Sequence, residues 1–212
     1  MKKLSFFLMA MLFSAMSFAQ ATLFTQTYPG SPSTYTNSYT SSFNVTTDGY
    51  KLTYAKINNG QSSNKWTAIR AGQKAADSKA TITTEQIAKP ISKVVINFTE
   101  VNASKTKALY LEVSASSSFD NATKIEATIA KGEVEFAISA PAENQYYRIV
   151  LDQLTHGSSN GFNRFDKVVF YEGQASSDDV EIVAAPEYSV ANANFTTPFT
   201  LDITSEEGTT LK

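Results

Sequence analysis

The chain contains no cysteine, and its 212 residues include one histidine and one tryptophan. Without cysteine it forms no disulfide bonds and no thiolate metal sites, which excludes the disulfide-stabilised class of small secreted domains. The single histidine, His156, excludes metal sites built from several imidazoles. Whatever holds this protein together is therefore a hydrophobic core, and residues 20–212 are numerous enough to build one.

Charge of either sign is also scarce, because charged residues make up 18% of the chain and the formal net charge is −2. Such mild acidity provides no broad attraction to nucleic acid or to anionic membranes. We therefore expect no nucleic-acid partner. After the N-terminal apolar run, no segment is long enough to span a membrane.

The N-terminus has the features of a secretory signal peptide. Lys2 and Lys3 precede an apolar run over residues 4–13, and small residues at positions 17 and 19 predict cleavage after Ala19. The run is much shorter than the ~20 residues of a membrane-spanning helix. Cleavage takes the formal charge to −4 by removing the two lysines. We predict an exported protein, extracellular or at the cell surface, with the periplasm as an alternative.

The next segments differ sharply in pattern. Residues 20–48 are rich in Ser, Thr and Tyr, which predicts an extended arm with one edge strand at 42–46. From residue 49 to 173, apolar residues alternate in segments that recur every 10 to 15 residues. This period predicts an all-β, two-sheet β-sandwich that is jelly-roll-like (galactose-binding-like) rather than immunoglobulin-like.

Particular strands have predictable faces. Alternation places one set of apolar residues inward, while the run "ISKVVINFTEV" is typical of a strand buried on both faces. The inward set includes Leu109, Leu111, Val113, Ile125, Ala127, Ile129, Val134, Phe136, Ile138, Tyr147, Ile149 and Leu151.

The C-terminal part of the sequence predicts a linker followed by the start of a second domain. Residues 174–185 shift to small and acidic side chains, which is typical of a domain boundary. Residues 186–212 then alternate at Phe199, Leu201 and Ile203 and turn at Gly208. A two-stranded hairpin is marginal alone in water, so we expect an incomplete second β domain, truncated at Lys212.

Two stretches resemble known modules. The first, between residues 66 and 171, contains "PISKVVINF", "AENQYYRIVLD" and "SSNGFNRFDKVVFY". It resembles a β-sandwich module of exported multidomain proteins of the Bacteroidetes type, which implies a Gram-negative bacterium and neighbouring hydrolase, nuclease or adhesion domains. The second, "APEYSVANANFTTPFTLDITSEEGTTLK", resembles the first half of a chitobiase C-terminal-type, immunoglobulin-like domain. Neither resemblance implies catalytic residues.

The segment "SSNGF", residues 158–162, carries the strongest turn signal of the chain. Asn160-Gly161 between two strand-like runs predicts a tight β-hairpin, because both residues tolerate positive φ. Strand alternation then puts Arg164 and Asp166 on one face and Phe165 on the other. The loop and Arg164 would form a rim that a ligand could reach.

A second candidate surface surrounds the only tryptophan. Trp66 and Arg70 share strand parity, so both would face outward if Arg70 is exposed. Stacking of a sugar on an indole, combined with charge-assisted donors from arginine, suits a glycan. The ligand-binding candidates are Trp66, Arg70, Asn160 and Arg164. Tyr146 and Arg148 form a weaker outward-facing candidate.

No residue pattern indicates catalysis or a cofactor. His156 lies in no nucleophile motif, no carboxylates have the spacing of a calcium loop, and no pair stands out as a glycosidase pair. We predict no catalytic residues, no metal ligands and no cofactor; a structural calcium ion is conceivable only by analogy with other sandwiches.

Three interpretations of function remain. The favoured one is a non-catalytic secreted or cell-surface module that binds a polysaccharide or a surface protein. The second is the N-terminal part of a secreted hydrolase or nuclease whose catalytic domain lies downstream. The third is a purely structural surface or adhesion protein, which would bind no saccharide.

Overall fold

The computed structural model describes residues 21–28, 39, 42–59 and 69–174. The chain divides into two compact units, Met1–Ser176 and Ser177–Lys212, and all the described residues belong to the first. The predicted signal peptide, Trp66, most of the linker and the predicted second domain lie outside the described residues. No helix in the described part of the chain is long and apolar enough to cross a bilayer.

The described residues form twelve strands and one short 3-10 helix. The helix is Ala103–Lys105. The strands are β1 Thr22–Thr27, β2 Ser42–Thr47, β3 Tyr50–Ala55, β4 Ile57–Asn58, β5 Ile69–Ala71, β6 Ser78–Thr84, β7 Ile91–Glu100, β8 Thr106–Ser114, β9 Thr123–Ala127, β10 Gly132–Ala137, β11 Tyr146–Gln153 and β12 Asn163–Glu172.

The strands make two antiparallel six-stranded sheets that face each other as a sandwich. Sheet A has the order β10-β7-β12-β5-β4, with β1 also paired to β12. Sheet B has the order β2-β3-β6-β11-β8-β9. The predicted all-β, two-sheet fold is confirmed. One continuous hydrophobic core, with members from both sheets, fills the space between them.

Alternation predicted the inward faces of several strands correctly. In β11, Tyr147, Ile149 and Leu151 are buried in the core, and in β10 Val134 and Phe136 are. The apolar run of β7 is buried on both faces, as its sequence predicts: successive residues Val94, Val95 and Ile96 are all buried. These positions follow from the two-residue period of an extended chain.

The segment interpreted as an N-terminal arm contributes strands to both sheets. The predicted edge strand at 42–46 is β2, at the end of sheet B. The segment also supplies β1, which pairs with β12 in sheet A. The sequence did not predict this strand, because its threonines obscure the apolar alternation. The sandwich therefore begins well before residue 49.

The predicted hairpin at Asn160-Gly161 is wrong. β11 belongs to sheet B and β12 to sheet A, so the segment between them, the crossing loop of residues 154–162, carries the chain from one sheet to the other. Gly161 has a φ of 65°, but Asn160 is not among the positive-φ residues that a type I′ turn would require. Asn160-Gly161 has the residue types of a tight turn, but the strands before and after it belong to different sheets and do not pair with each other.

Candidate functional site

Three charged residues stand side by side across sheet A. Arg164 on β12 lies opposite Arg70 on β5, and on its other side it lies opposite Glu100 on β7. Ile69, next to Arg70 in β5, and Phe165, next to Arg164 in β12, are fully buried. Because side chains alternate between the two faces of a strand, the row of charged side chains projects from the outer face of sheet A. The sequence placed Arg164 on the strand face opposite Phe165, as the structure has it, and treated the exposure of Arg70 only as a condition. The structure places both arginines on the outer face, and the register brings them together.

Two contacts hold the side chain of Arg164 in place. Its Nη1 lies 3.0 Å from Oε2 of Glu100, and its Nε donates a hydrogen bond to the carbonyl oxygen of Gly161 at 3.3 Å. The side chains of Arg164 and Glu100 are 43% and 53% exposed, so solvent reaches the pair. An ion pair this exposed is weak and opens readily to a competing ligand.

The crossing loop is tied by its backbone to the segment that follows β5. The N–H groups of His156, Gly157 and Gly161 donate to the carbonyl oxygens of Gln73, Lys74 and Gly72 at 3.1, 2.9 and 2.8 Å. These bonds satisfy backbone N–H and C=O groups of two irregular segments, which would otherwise have to form hydrogen bonds with water. They give the loop a defined position next to the row of charged residues.

Asn160 serves this connection through its side chain. Its Oδ1 accepts a hydrogen bond from the backbone N–H of Lys74 at 2.7 Å. Asn160 is itself exposed to solvent. The sequence selected Asn160 for its turn propensity, whereas the structure assigns it a cross-loop hydrogen bond.

Two glycines permit the close approach of these segments. A methyl group on Gly72 would lie 2.4 Å from Cζ of Phe162, so the buried phenyl ring packs directly on the glycine backbone. A methyl group on Gly161 would lie 2.7 Å from the hydroxyl oxygen of Tyr39 and 2.9 Å from Cβ of Arg70. The hydroxyl of Tyr39 is thereby placed beside the arginine row.

The pKa of the Tyr39 hydroxyl is influenced by both arginines of the row. Partial burial raises the pKa of its hydroxyl above the ordinary value, while the positive charges of Arg70 and Arg164 act in the opposite direction. Burial has the larger effect, so Tyr39 remains a neutral hydroxyl at neutral pH and can donate or accept a hydrogen bond. Both arginines therefore act on one hydroxyl group.

His156 is oriented by its own loop. Its Nδ1 accepts a hydrogen bond from the N–H of Ser159 at 3.2 Å, which places the proton of the neutral ring on Nε2. Ser158 Oγ lies 3.1 Å from the same Nδ1, and the ring tilts against Phe162 with centroids 5.1 Å apart. Among the described residues, no carboxylate bonds to the other ring nitrogen, the position that the orienting acid of a catalytic triad would take.

These groups line a shallow cavity of about 260 Å³ that is open to solvent, named here the loop pocket. One wall is residues 100–102, and the other is residues 156, 159–162 and 164. The volume lies slightly below the range of about 300–1,000 Å³ for drug-sized ligands. It suits a group the size of one sugar ring.

A buried asparagine braces the first wall. Asn163 is fully buried; its Oδ1 accepts from the backbone N–H of Asn102 at 2.7 Å, and its Nδ2 donates to Oγ1 of Thr106 at 2.9 Å. Sequence reasoning missed Glu100, Asn102 and this brace, as well as Tyr39. Each acts through a partner distant in the chain, so no local motif marks it.

The other predicted platform is already occupied by the protein itself. Tyr146 and Arg148 do face outward on sheet B. The guanidinium of Arg148 lies 4.1 Å from the ring centroid of Phe119, and its Nε pairs with Oε2 of Glu112 at 2.5 Å. This arginine is engaged with neighbouring side chains, so the platform is the weaker candidate.

In the described ranges, no three His, Asp or Glu side chains come together as a metal site; the calcium ion considered by analogy stays untested. Trp66 lies outside the described residues, three positions before Ile69, the first residue of β5. Its role stays a prediction from the sequence.

Comparison with known proteins adds two distant structural likenesses. No family model and no curated protein matches the chain. A solved structure, CpGH89CBM32-6 produced by Clostridium perfringens, has 16% identity over 59% of this chain and 95% of its own, with a TM-score of 0.39. An arabinose-bound α-L-arabinofuranosidase, MgGH51, has 15% identity over 61% of this chain but only 23% of its own, with a TM-score of 0.32. At these scores, the fold assignment rests on the two sheets and the site on its own geometry.

Proposed function

We propose that the sandwich is a non-catalytic saccharide-binding module and that the loop pocket is its binding site. The observation that carries the proposal is the convergence of Arg164, Glu100 and Asn160 on one open cavity. A sugar ring offers hydroxyl groups that both donate and accept. A guanidinium, a carboxylate and a carboxamide next to one another can match both kinds of group.

The rigidity of the site supports this role. The crossing loop is bonded to the segment after β5 through three backbone hydrogen bonds and through the side chain of Asn160. A site whose donors are already held in position loses less conformational entropy when it binds. The proposal also includes Trp66 as a stacking surface, on the sequence argument alone.

The arrangement around His156 favours binding over catalysis. Its Nδ1 is committed to the N–H of Ser159, and the nearby Ser158 hydroxyl meets that same nitrogen. Activation of a serine uses one ring nitrogen for the nucleophile and the other for an orienting acid. Here the ring braces a loop, and we propose no reaction for this unit.

The setting of the module is part of the proposal. The signal-peptide features of residues 1–19 and the absence of cysteine support an exported bacterial protein. A neighbouring catalytic or adhesion domain remains an alternative source of the whole protein's activity. In that case the module would hold its neighbour near a polysaccharide surface.

The test is retention of the purified chain on insoluble polysaccharides such as chitin, xylan, galactan and pectin. The wild type should be retained on at least one of them. Arg164→Ala should weaken that binding roughly 10- to 100-fold, which corresponds to a lost charge-assisted hydrogen bond. Trp66→Ala should weaken it too, while the melting temperature of each variant stays close to that of the wild type.

The matched control is Arg148→Ala. Arg148, like Arg164, is a strand arginine paired with a glutamate opposite it, but it lies on sheet B. Its removal should leave retention unchanged. If Arg164→Ala binds as well as Arg148→Ala, the loop pocket is not the site. If no saccharide retains the wild type, the structural interpretation of the protein is favoured instead.

A further inference from the structure

The ring of the only histidine in the chain holds residues 158–159, named here the loop tip, in place. On either side of the loop tip, Gly157 and Asn160 are hydrogen-bonded to the backbone of Lys74 at 2.9 and 2.7 Å. In the described part of the chain, the loop tip itself forms its hydrogen bonds only with Nδ1 of His156, at 3.1 and 3.2 Å. The imidazole therefore anchors the two residues that the segment after β5 does not hold.

The loop tip belongs to the wall of the loop pocket. Ser159 lines the pocket together with its neighbour Asn160 and with His156 itself. The imidazole also tilts against the ring of Phe162, which is buried, with ring centroids 5.1 Å apart. One face of the imidazole thus rests on the core side of the loop, while Nδ1 determines where Ser159 stands in the pocket wall.

The hydrogen bond from Ser159 exists only while the ring of His156 is neutral. A neutral imidazole has one nitrogen that accepts and one that donates, whereas the imidazolium ion donates from both. A proton on Nδ1 would face the N–H of Ser159, and two donors form no hydrogen bond with each other. The hydroxyl of Ser158 can accept from Nδ1, so the protonated ring would keep Ser158 and release Ser159.

The other charged groups near the ring belong to residue types that do not titrate in the same pH range. From the segments next to the crossing loop these groups are Lys74, Asp77, Glu100, Lys105, Lys107 and Arg164. The hydrogen bond between Lys107 and Asp77 lowers the carboxyl pKa of Asp77 and raises the pKa of Lys107, so both remain charged around neutral pH. Imidazole is the side chain that ordinarily changes charge between about pH 5 and pH 8. A change of the loop pocket in this range therefore points to His156.

We propose that His156 is a positioning residue that makes the loop pocket dependent on pH: its neutral ring holds the loop tip in the ligand-binding position, and protonation releases Ser159 from the pocket wall. This inference rests on the proposed saccharide-binding function and specifies the regulation of that site. Saccharide binding is strongest near neutral pH and weakens below about pH 6, where an ordinary imidazole gains its proton.

The first measurement needs no ligand. Nuclear magnetic resonance follows the protonation of the ring, whose signal is unique because the chain has one histidine. Hydrogen exchange of the Ser159 amide is measured over the same pH range. We expect its protection factor, corrected for the intrinsic effect of pH on exchange, to fall roughly 3- to 10-fold as the ring is protonated, the effect of one hydrogen bond. The amide of Thr155, which donates to Oδ1 of Asp77 at 2.7 Å, is the internal control and should keep its protection.

The second measurement compares His156 variants for retention on chitin, arabinoxylan and galactan, neutral polymers whose charge does not change between about pH 5 and about pH 7.5. Retention of the wild type should weaken roughly 3- to 10-fold at the lower pH. His156→Phe keeps a ring against Phe162 but lacks the acceptor, so it should bind weakly at both pH values. His156→Asn offers an acceptor near the position of Nδ1 and gains no proton. It should restore most of the lost affinity and remove the pH dependence, and melting temperatures show that each variant is folded.

The outcomes separate this inference from the proposed function. If the ring is protonated and the protection of Ser159 stays constant, the switch in the loop is wrong, whatever the ligand. If Ser159 loses protection but the wild type is retained equally at both pH values, or His156→Asn keeps the pH dependence, the control of the loop pocket by His156 is wrong. If Ser159 loses protection and no polysaccharide is retained at either pH, the proposed function fails while the switch in the loop stands.

Discussion

Two glycines with nearly the same backbone conformation have very different surroundings. Gly72 has a φ of 99° and Gly132 a φ of 98°. A methyl group on Gly72 would collide with the ring of Phe162, while a methyl group on Gly132 would meet nothing within 4 Å. Positive φ disfavours any other residue at both positions. Only at Gly72 does the missing side chain also make room for a ring that supports the loop pocket.

We predict that Gly72→Ala destabilises the protein more than Gly132→Ala. Positive-φ strain costs about 1–2 kcal/mol at each position, and overpacking against Phe162 adds about 1–3 kcal/mol at Gly72. Urea denaturation of the two variants measures the difference in the free energy of unfolding. Equal destabilisation would show that the phenyl ring can move aside at no cost.

Among the elements, β1 places an aromatic ring between the two sheets. It pairs with residues 167–171 of β12, while β5 pairs with residues 163–165 of the same strand. Its Phe24 is buried and stacks on Tyr50 of sheet B and on Phe170 of sheet A, with ring centroids 4.6 Å apart in both cases. The ring therefore bridges the sheets, and β1 is part of the core.

We expect Phe24→Ala to lower the free energy of unfolding by about 3–5 kcal/mol, the usual cost of removing a buried aromatic ring. Thr25→Ala, a half-buried residue of the same strand, should cost about 1 kcal/mol or less. Chemical denaturation measures both. Similar small values would mean that β1 behaves as a detachable arm.

Across the whole molecule, the outer faces of the sheets carry cross-strand ion pairs. Lys93 pairs with Glu135 and Lys167 with Glu133 on sheet A, and Arg148 pairs with Glu112 on sheet B. Pairs this exposed contribute about 0–1 kcal/mol each. Among them, the hydrogen bond between Lys167 and Glu133 lowers the carboxyl pKa of Glu133 and raises the pKa of Lys167.

Stability should decline on both sides of a plateau between about pH 5 and pH 10. Hydrogen bonds from Lys107, Lys124 and Lys167 lower the carboxyl pKa of Asp77, Glu126 and Glu133. Their contribution is present above the unfolded pKa and is lost as the pH falls through the lowered, folded pKa.

At alkaline pH, stability depends on groups whose pKa is raised in the folded protein. The same hydrogen bonds raise the pKa of the three lysines, and burial raises the pKa of the Tyr147 hydroxyl to about 12. Those contributions are complete below the unfolded pKa values and are lost as the pH rises toward the raised ones. Urea midpoints at pH 3 to 11 test both limbs, and 1 M salt should flatten the acid limb. A midpoint unchanged from pH 7 to pH 3 would contradict the prediction.

How far the site could be predicted differs from residue to residue. The face of Arg164 followed from its alternation with the apolar Phe165, a local pattern, whereas the exposure of Arg70 entered the sequence argument only as a condition. The hairpin at Asn160-Gly161 failed because turn chemistry is local and does not specify which sheet the next strand joins. Glu100 could not be selected, since its relation to Arg164 exists only in the register of β7 and β12.

The sequence by itself determined the all-β class, the buried face of strands such as β10 and β11, and the placement of Arg164 on the strand face opposite Phe165. These properties repeat every two residues and arise from local backbone geometry and the burial of apolar side chains. The tertiary structure alone decided that β1 enters the core, that the crossing loop changes sheets, and that Arg70, Arg164 and Glu100 form one row. Strand order and register are non-local, because they minimise the free energy of the whole core rather than of any one segment.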